Sequence, residues 1–274
     1  MPGPTLPIEV MGILNVTPDS FSDGGQFNNI DTALLQAEQM VADGAHWLDI
    51  GGESTRPGAS EVSVQEELDR VIPVIERIRT QLDVKVSVDT SKAHVMTEAV
   101  SAGAHMINDI RALQEPGALT AAAAAGVKVC LMHMQGQPRT MQADPHYEDV
   151  VADIVDFFQQ RIQQCEAAGI QKSQLLIDPG FGFGKTLRHN YQLLQRLSAF
   201  HQLELPLLVG MSRKSMLGKV TGKGVNERLA ASVAAATIAA LKGAHIIRVH
   251  DVAETMDAVN IVTATLTGDY KAHG

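Results

Sequence analysis

Short, uninterrupted apolar runs alternate along this chain with longer stretches in which apolar residues return every three or four positions. The short runs cover residues 8–16, 47–51, 84–88, 106–110, 127–134, 175–178, 207–211 and 246–249. They are rich in β-branched residues and continuous rather than alternating, the pattern of strands covered on both faces. Between them, residues 64–82 place apolar side chains at 64, 68, 71, 72, 75, 78 and 82, which is helical spacing. Val151, Ile154, Val155, Phe158, Ile162 and Cys165 form a cleaner helical stripe. Further helices are expected over 32–43, 92–102, 119–125, 191–200, 227–242 and 253–266. Pro73 should kink the second helix. Gly44, Gly103, Gly126, Gly169 and Gly243 each follow a helix and precede a strand, where the left-handed conformation of glycine ends a helix at little cost.

Eight strand–helix units in succession make a (β/α)8 TIM barrel of the α/β class the first expectation, with a doubly wound open sheet second. The chain has 274 residues, close to the roughly 250 of such a barrel. No linker or charge-run boundary divides it, so residues 1–274 read as a single domain. No sequence repeat is evident.

The net charge of −9 disfavours nucleic acid and anionic membrane as partners. An anionic ligand would need local cations or helix N-termini. No run approaches the roughly 20 apolar residues of a membrane span, and Met1-Pro2-Gly3-Pro4-Thr5 does not resemble a signal peptide. Cys130 and Cys165 are too few and too far apart for a disulfide or metal framework, and read as reduced and buried, which fits a cytoplasmic protein.

In a barrel the functional end is the C-terminal end of the strands, and here those ends are polar. They carry Asn15, Glu53 to Arg56, Asp89-Thr90-Ser91, Asn108-Asp109, His133, Asp178, Ser212-Arg213-Lys214-Ser215 and Arg248-Val249-His250-Asp251. Taken singly each has a plain structural role: Asp89 as a helix N-cap, the Gly and Pro tips as turns, His133 as a bonded core residue. Convergence of eight such tips on one mouth is harder to explain that way. Common motifs are absent. Gly180 to Thr186 has Pro179 where a phosphate loop needs its first glycine, and Gly210-Met211-Ser212 has Lys214 where a nucleophile elbow needs glycine. None of the ten histidines stands in an H-E-x-x-H zinc motif.

The remaining set suits a flat heterocycle and an anion. Asp89 and Asp178 can each accept two parallel donors, and Asn108 offers a donor and an acceptor. Arg248 and His250, two residues apart on one strand, should point the same way and grip phosphate from the rim. Asn15 offers a neutral oxygen suited to Mg²⁺ on a pyrophosphate. Ser212 to Ser215 should open a short helix before Gly218. Phe21 and Phe183, on loops, can flank an aromatic ring.

Asn15-Val16-Thr17-Pro18-Asp19-Ser20-Phe21-Ser22-Asp23-Gly24-Gly25 and Gly51-Gly52-Glu53-Ser54-Thr55-Arg56-Pro57-Gly58 resemble the two signatures of dihydropteroate synthases. Asp89-Thr90, Asn108-Asp109, Met132-His133-Met134-Gln135-Gly136, Asp178 to Lys185, Ser212 to Ser215 and Arg248 to Asp251 extend the resemblance across nearly the whole chain. The resemblance implies condensation of dihydropterin pyrophosphate with p-aminobenzoate, Mg²⁺ on the pyrophosphate, inhibition by sulfonamides and a homodimer through the late helices. It assigns Asp89, Asn108, Asp178 and Lys214 to the pterin, and Asn15, Arg248 and His250 to pyrophosphate and metal. Phe183, Ser215, Thr55 and Arg56 would line the p-aminobenzoate site, with Phe21 and Asp23 closing over it. The resemblance further implies substrate contacts at Met132, Gly182 and Ser212, and a catalytic set of Asp89, Asp178, Lys214, Arg248 and His250.

Three other readings compete. A methyltetrahydrofolate-dependent methyltransferase would share the pterin-holding Asp and Asn, but not the Arg248–His250 pair or the Ser212 to Ser215 segment. A non-catalytic pterin-binding paralogue should have lost part of these motifs. A Schiff-base aldolase would use Lys214 and leave Arg248 and His250 unexplained.

Overall fold

The computed structural model describes residues 7–17, 26–54, 62–137 and 140–269. Eight strands, β1 (Glu9–Asn15), β2 (Trp47–Gly51), β3 (Lys85–Asp89), β4 (Met106–Asp109), β5 (Lys128–Met132), β6 (Leu175–Asp178), β7 (Leu208–Val209) and β8 (Ile246–Val249), alternate with helices. The helices are α1 (Gln26–Ala42), α2 (Val64–Gln81), α3 (Ala93–Ser101), α4 (Ala118–Ala125), α5 (Val150–Ala167), α6 (Leu187–Gln195), α7 (Ser215–Thr221), α8 (Leu229–Leu241) and α9 (Val252–Thr267). All strand pairs are parallel, and the order β6-β5-β4-β3-β2-β1-β8-β7 puts β6 and β7 at the ends. A parallel bridge between Ile177 and Leu207 closes the ring, with Ile177 N–H donating to Pro206 O at 3.1 Å. The sheet is a (β/α)8 barrel, and the open doubly wound alternative falls.

Local chemistry explains most element boundaries. α2 begins at a capping box, in which Ser63 Oγ accepts from Glu66 N–H and the Glu66 carboxylate accepts from Ser63 N–H. It runs through Pro73 as one helix. Asp149 caps α5 through Val151 N–H and Ala152 N–H. Several boundaries differ from expectation. α1 starts six residues early, at Gln26. Thr186 accepts from His189 N–H and starts α6 four residues early, after which residues 197–203 form a 3-10 turn instead of more α-helix. β7 has only two residues. α7 runs through Gly218 and ends at Gly222, which has φ +71°. Gly218 serves close approach: a Cβ there would lie 2.4 Å from the Arg228 guanidinium.

Two apolar layers hold the barrel. The larger lies between strands and helices and includes the fully buried Ile75, Phe158 and Leu48. The smaller fills the barrel interior: Met11, Trp47, Met106, Cys130, Leu176, Leu208 and Ile246. Side chains on one strand face alternate with period two. The next inward positions above this plug are therefore Ile13, Asp49, Asn108, Met132, Asp178, Gly210 and Arg248. The polar residues of the mouth share the phase of the apolar plug that supports them.

The opposite, N-terminal end contains a short repeat that the strand and helix pattern does not reveal. Gly44-Ala45-His46, Gly103-Ala104-His105 and Gly243-Ala244-His245 join a helix to the following strand. Each glycine has positive φ, and each alanine N–H bonds back to the preceding helix, at Met40 O, Ala99 O and Ala239 O. Each histidine then binds the previous strand at two points. Its N–H donates to the carbonyl of Val10, Val86 or Leu207. Its ring Nδ1 accepts from the N–H of that same residue, at 3.1, 3.0 and 3.0 Å.

Accepting at Nδ1 requires a ring unprotonated there. Burial, the largest influence, lowers the affinity of His46, His105 and His245 for protons. With folded-state values below the unfolded value of about 6.5, these residues contribute stability that is present above that pH and lost as pH falls through the folded values. Urea unfolding between pH 8 and 5 should show a falling midpoint. In the His46→Asn, His105→Asn, His245→Asn variant, where an amide oxygen replaces Nδ1 without titrating, the fall should be shallower. An unchanged slope would refute this role.

Candidate active site

The mouth is built on a buried ionic floor. Arg248 on β8 lies across the barrel interior, its Nε donating to Asp49 Oδ2 at 2.6 Å and its Nη2 to Asp89 Oδ2 at 2.9 Å. Asn108 Nδ2 donates to the same Asp49 oxygen at 3.0 Å. Asp49 is fully buried and Asn108 nearly so. Gly51 and Gly210 leave space around them: a Cβ at Gly51 would lie 3.5 Å from Asp89 Cβ, and one at Gly210 would lie 3.7 Å from Arg248 Cβ.

This position departs from expectation. Arg248 is part of the floor, not a rim cation, and its Nε and Nη2 are both engaged by carboxylates. His250 lies beyond the end of β8, its N–H and Nδ1 3.2 and 3.0 Å from Ser212 Oγ. Arg213, with φ +57°, makes a two-point ion pair with Asp251, and its N–H donates to Ser232 Oγ at 3.0 Å. The loop before α7 is thus fixed to the tip of β8 and the start of α8. Asp89 is not a helix cap, since Lys92 occupies the N-cap of α3.

On the other side of the mouth, Asp178 Oδ1 accepts from Gly180 N–H at 2.8 Å. Lys214 Nζ donates to Phe181 O at 2.6 Å and sits 4.7 Å from the Phe183 ring centre. A Cβ at Gly182 would lie 3.4 Å from Lys214 Cδ, so glycine lets the lysine chain pass close. Met132 is buried at the end of β5, and Ser215 is exposed at the first turn of α7. His133 has its plain structural role: it is buried, with Nδ1 3.0 Å from Lys185 Nζ. Phe21, Asp23, Thr55 and Arg56 lie outside the described residues.

The electrostatics are those of charges held close together under cover. Burial pushes the Asp89 carboxyl up to about 7, although Arg248 pulls it down. Burial also raises Asp178, against the pull of Lys214. Lys214 is lowered to about 8, burial outweighing Asp178. Burial works against charge on Arg248 too, but Asp49 and Asp89 more than offset it and keep the guanidinium protonated. The result is two carboxyls whose affinity for protons is raised by burial, beside a fixed cation, and when ionised they can accept hydrogen bonds from a ligand that carries paired N–H donors.

Asp49 was absent from the residues selected by sequence. It sits in the run Trp47-Leu48-Asp49-Ile50, whose continuity predicts only a strand covered on both faces. A carboxylate inside such a run, in phase with an inward Trp, was the available signal.

The chain matches the family described as pterin binding enzyme over residues 11–250. It is 61% identical over 258 residues to the dihydropteroate synthase of Escherichia coli strain K12, covering 94% of this chain and 92% of that one. The structure of Yersinia pestis dihydropteroate synthase in a sulfonamide drug complex superposes with a TM-score of 0.91 at 64% identity, covering 95% of each chain. That of Xanthomonas albilineans dihydropteroate synthase with 4-aminobenzoic acid gives 0.90 at 52% identity, covering 95% of this chain and 94% of the other. A barrel mouth floored by buried carboxylates, an amide and an arginine, in a chain this similar to those enzymes, belongs to the dihydropteroate synthase family of pterin binding enzymes.

Proposed function

We propose that this chain condenses 6-hydroxymethyl-7,8-dihydropterin pyrophosphate with p-aminobenzoate, giving 7,8-dihydropteroate and pyrophosphate. The observation that carries this reading is the floor itself: Asp89, Asn108 and Asp178 present acceptors and an amide at one depth, where a pterin ring has an amino group and ring N–H groups to offer. The relatives bound to a sulfonamide drug and to 4-aminobenzoic acid support p-aminobenzoate as second substrate and sulfonamides as its mimics.

In the reaction, the bond between the pterin methylene carbon and the pyrophosphate oxygen breaks, and its electron pair leaves on that oxygen. The aniline nitrogen supplies the new pair to carbon and then loses a proton. Ionised Asp89 and Asp178, bonded to the pterin ring, stabilise the positive charge that spreads over ring and methylene as the leaving group departs. Lys214 adds a donor to the ring edge. His250 and Ser212, bonded to each other above the floor, face the pyrophosphate side together with Asn15. Phe183 forms the wall against the aromatic amine, with Ser215 on that side; the family resemblance assigns Thr55, Arg56, Phe21 and Asp23, outside the described residues, to the same substrate.

Mg²⁺ fits as an ion carried by the pyrophosphate. Among the described residues no group of three or more His, Cys, Asp or Glu side chains converges to hold a metal. Asn15 Oδ1 lies 3.7 Å from the point where a Gly51 Cβ would be, beside Asp89 Oδ2 at 3.8 Å from the same point. One neutral oxygen at the mouth suits a cation that keeps most of its ligands as phosphate oxygens and water. When bound, the ion would neutralise charge on the leaving group.

A homodimer through α8 and α9 is supported by Ile238, Leu241, Ile261 and Leu266, apolar and exposed on that side. A cytoplasmic setting is supported by the two buried free thiols, Cys130 and Cys165. Among the described residues no helix is long and apolar enough to cross a membrane.

The purified protein should release pyrophosphate only when both substrates and Mg²⁺ are present; no release from folded protein would refute the activity. Because Asp89 in the free protein titrates near 7, it is protonated below that pH and cannot accept paired donors. Pterin affinity measured by calorimetry should therefore rise with pH through about 7 and level off above it. Asp89→Asn should bind weakly with a flat profile, and a wild-type affinity that falls over this range would contradict the assignment. Scrambling of oxygen-18 from the bridging position of the pyrophosphate, measured without p-aminobenzoate, tests whether departure precedes attack. An intact label would rule out the dissociative order. Arg248→Ala strands Asp49 and Asp89, and unfolding free energy should drop by about 3–5 kcal/mol, measured by denaturant titration.

A further inference from the structure

The segment between β6 and α6 is held to an unusual degree. Six consecutive backbone carbonyls, residues 181–186, each accept a hydrogen bond from a side chain. Phe181 O accepts from Lys214 at 2.6 Å, Gly182 O from Gln142 at 2.5 Å and Phe183 O from Lys185 at 2.9 Å. Gly184 O accepts from Tyr147 at 2.8 Å, and Lys185 O and Thr186 O both accept from Asn190, at 3.3 and 2.7 Å. Asn190 also accepts from Gly182 N–H through Oδ1 at 2.7 Å, and is nearly fully buried. Surface loops ordinarily leave many such groups to water and move accordingly. Here the donors come from four separate places in the chain.

Lys185 is the centre of this arrangement. It is 3% exposed. Its Nζ reaches Phe183 O, His133 O at 3.3 Å and His133 Nδ1 at 3.0 Å, so one amino group joins the loop after β6 to the end of β5. The two backbones are nearly in contact: a Cβ on Gly180 would lie 1.9 Å from His133 O, and one on Gly184 would lie 2.3 Å from Gln135 O. Both glycines also have positive φ, so no other residue fits either position without rebuilding the loop. His133 packs edge-on to Phe157 at 4.9 Å, which ties the joint to α5. Lys185, Tyr147 and Asn190 donate to backbone carbonyls and not to Asp49, Asp89, Asn108 or Asp178, although Lys185 lies near enough to Asp178 to favour its charge.

We propose that Lys185, Tyr147 and Asn190 are positioning residues for the aromatic amine, fixing the loop so that Phe183 stands as a preformed wall of its site. This rests on the assignment of p-aminobenzoate as second substrate. A wall held in place before the amine arrives removes the ordering cost that the amine would otherwise meet on binding.

The test is a comparison of Lys185→Met and Tyr147→Phe with the wild type in steady-state kinetics, varying each substrate separately, with the affinity for 6-hydroxymethylpterin measured by calorimetry. Loss of a buried donor should raise the KM for p-aminobenzoate about tenfold in Lys185→Met and about threefold in Tyr147→Phe. Pterin affinity and the KM for the pterin substrate should stay within about twofold. An unchanged p-aminobenzoate KM in folded variants would overturn the positioning role, as would parallel loss of both substrates. If Lys185→Met does not fold, Tyr147→Phe decides by the same criterion. Absence of turnover in the wild type would instead overturn the assigned activity, and this role with it.

Discussion

The rest of the site depends on Arg248 lying between Asp49 and Asp89. Two carboxylates this deep in a barrel would repel each other, and a lone guanidinium there would be equally costly to bury. Together they form a floor of fixed geometry with one cation shared by two anions. Ionised carboxylate is therefore kept within reach of a ligand that can supply further positive character. The plug of Met11, Trp47, Met106, Cys130, Leu176, Leu208 and Ile246 beneath excludes water and sets the depth of this layer. Gly51, at the end of β2, and Gly210, just after β7, leave room for it. Fold and chemistry meet at one level of the barrel, where the inward face changes from apolar to charged over a step of two residues.

Around that floor the walls are fixed by bonds between the strand tips and loops themselves. Ser212 and His250 bond across the tips of β7 and β8, and Arg213, Asp251, Ser232 and Arg228 hold the turn that delivers Lys214. Asp109 does similar work at β4. One of its oxygens accepts from Ser91 Oγ and Arg111 N–H and the other from Leu113 N–H, stabilising a turn in which Ala112 and Leu113 both have positive φ. Thr90 N–H donates to Asn108 O, so the tips carrying Asp89 and Asn108 are joined directly. Strain and buried polarity are concentrated at this end of the barrel. The other end is closed by the Gly-Ala-His joints and by Glu9, which accepts from Trp47 Nε1 and pairs with Lys85.

The barrel was legible because its strands are continuous apolar runs and its helices carry a 3.6-residue period, both local signals. The polar strand ends were legible for the same reason, as interruptions of that pattern. Contacts between strands distant in sequence were not. Arg248 and Asp49 are 199 residues apart, and nothing in the spacing of Arg248 and His250 shows that the arginine turns inward to two acids while the histidine bonds to Ser212. Asp49 was hidden by its apolar neighbours. The Gly-Ala-His triplets were hidden by brevity, since three residues recurring at wide and uneven intervals do not register as a repeat. The helix through Gly218 was misjudged because glycine ends helices in some settings and admits a bulky neighbour in others. Only the packing of Arg228 distinguishes the two.

The claim that matters most is that the floor holds Asp89 poised between its protonated and ionised states and that the pterin draws it into the ionised one. Carboxyl carbon-13 resonances, assigned by comparison with Asp89→Asn, report this directly. The account expects the Asp89 signal of the free protein to titrate with a midpoint at about 7, and to stay at its ionised position well below that pH once a pterin is bound. An Asp89 that titrates at the ordinary value of an exposed carboxyl in the free protein, or that remains protonated in the complex at neutral pH, would contradict it.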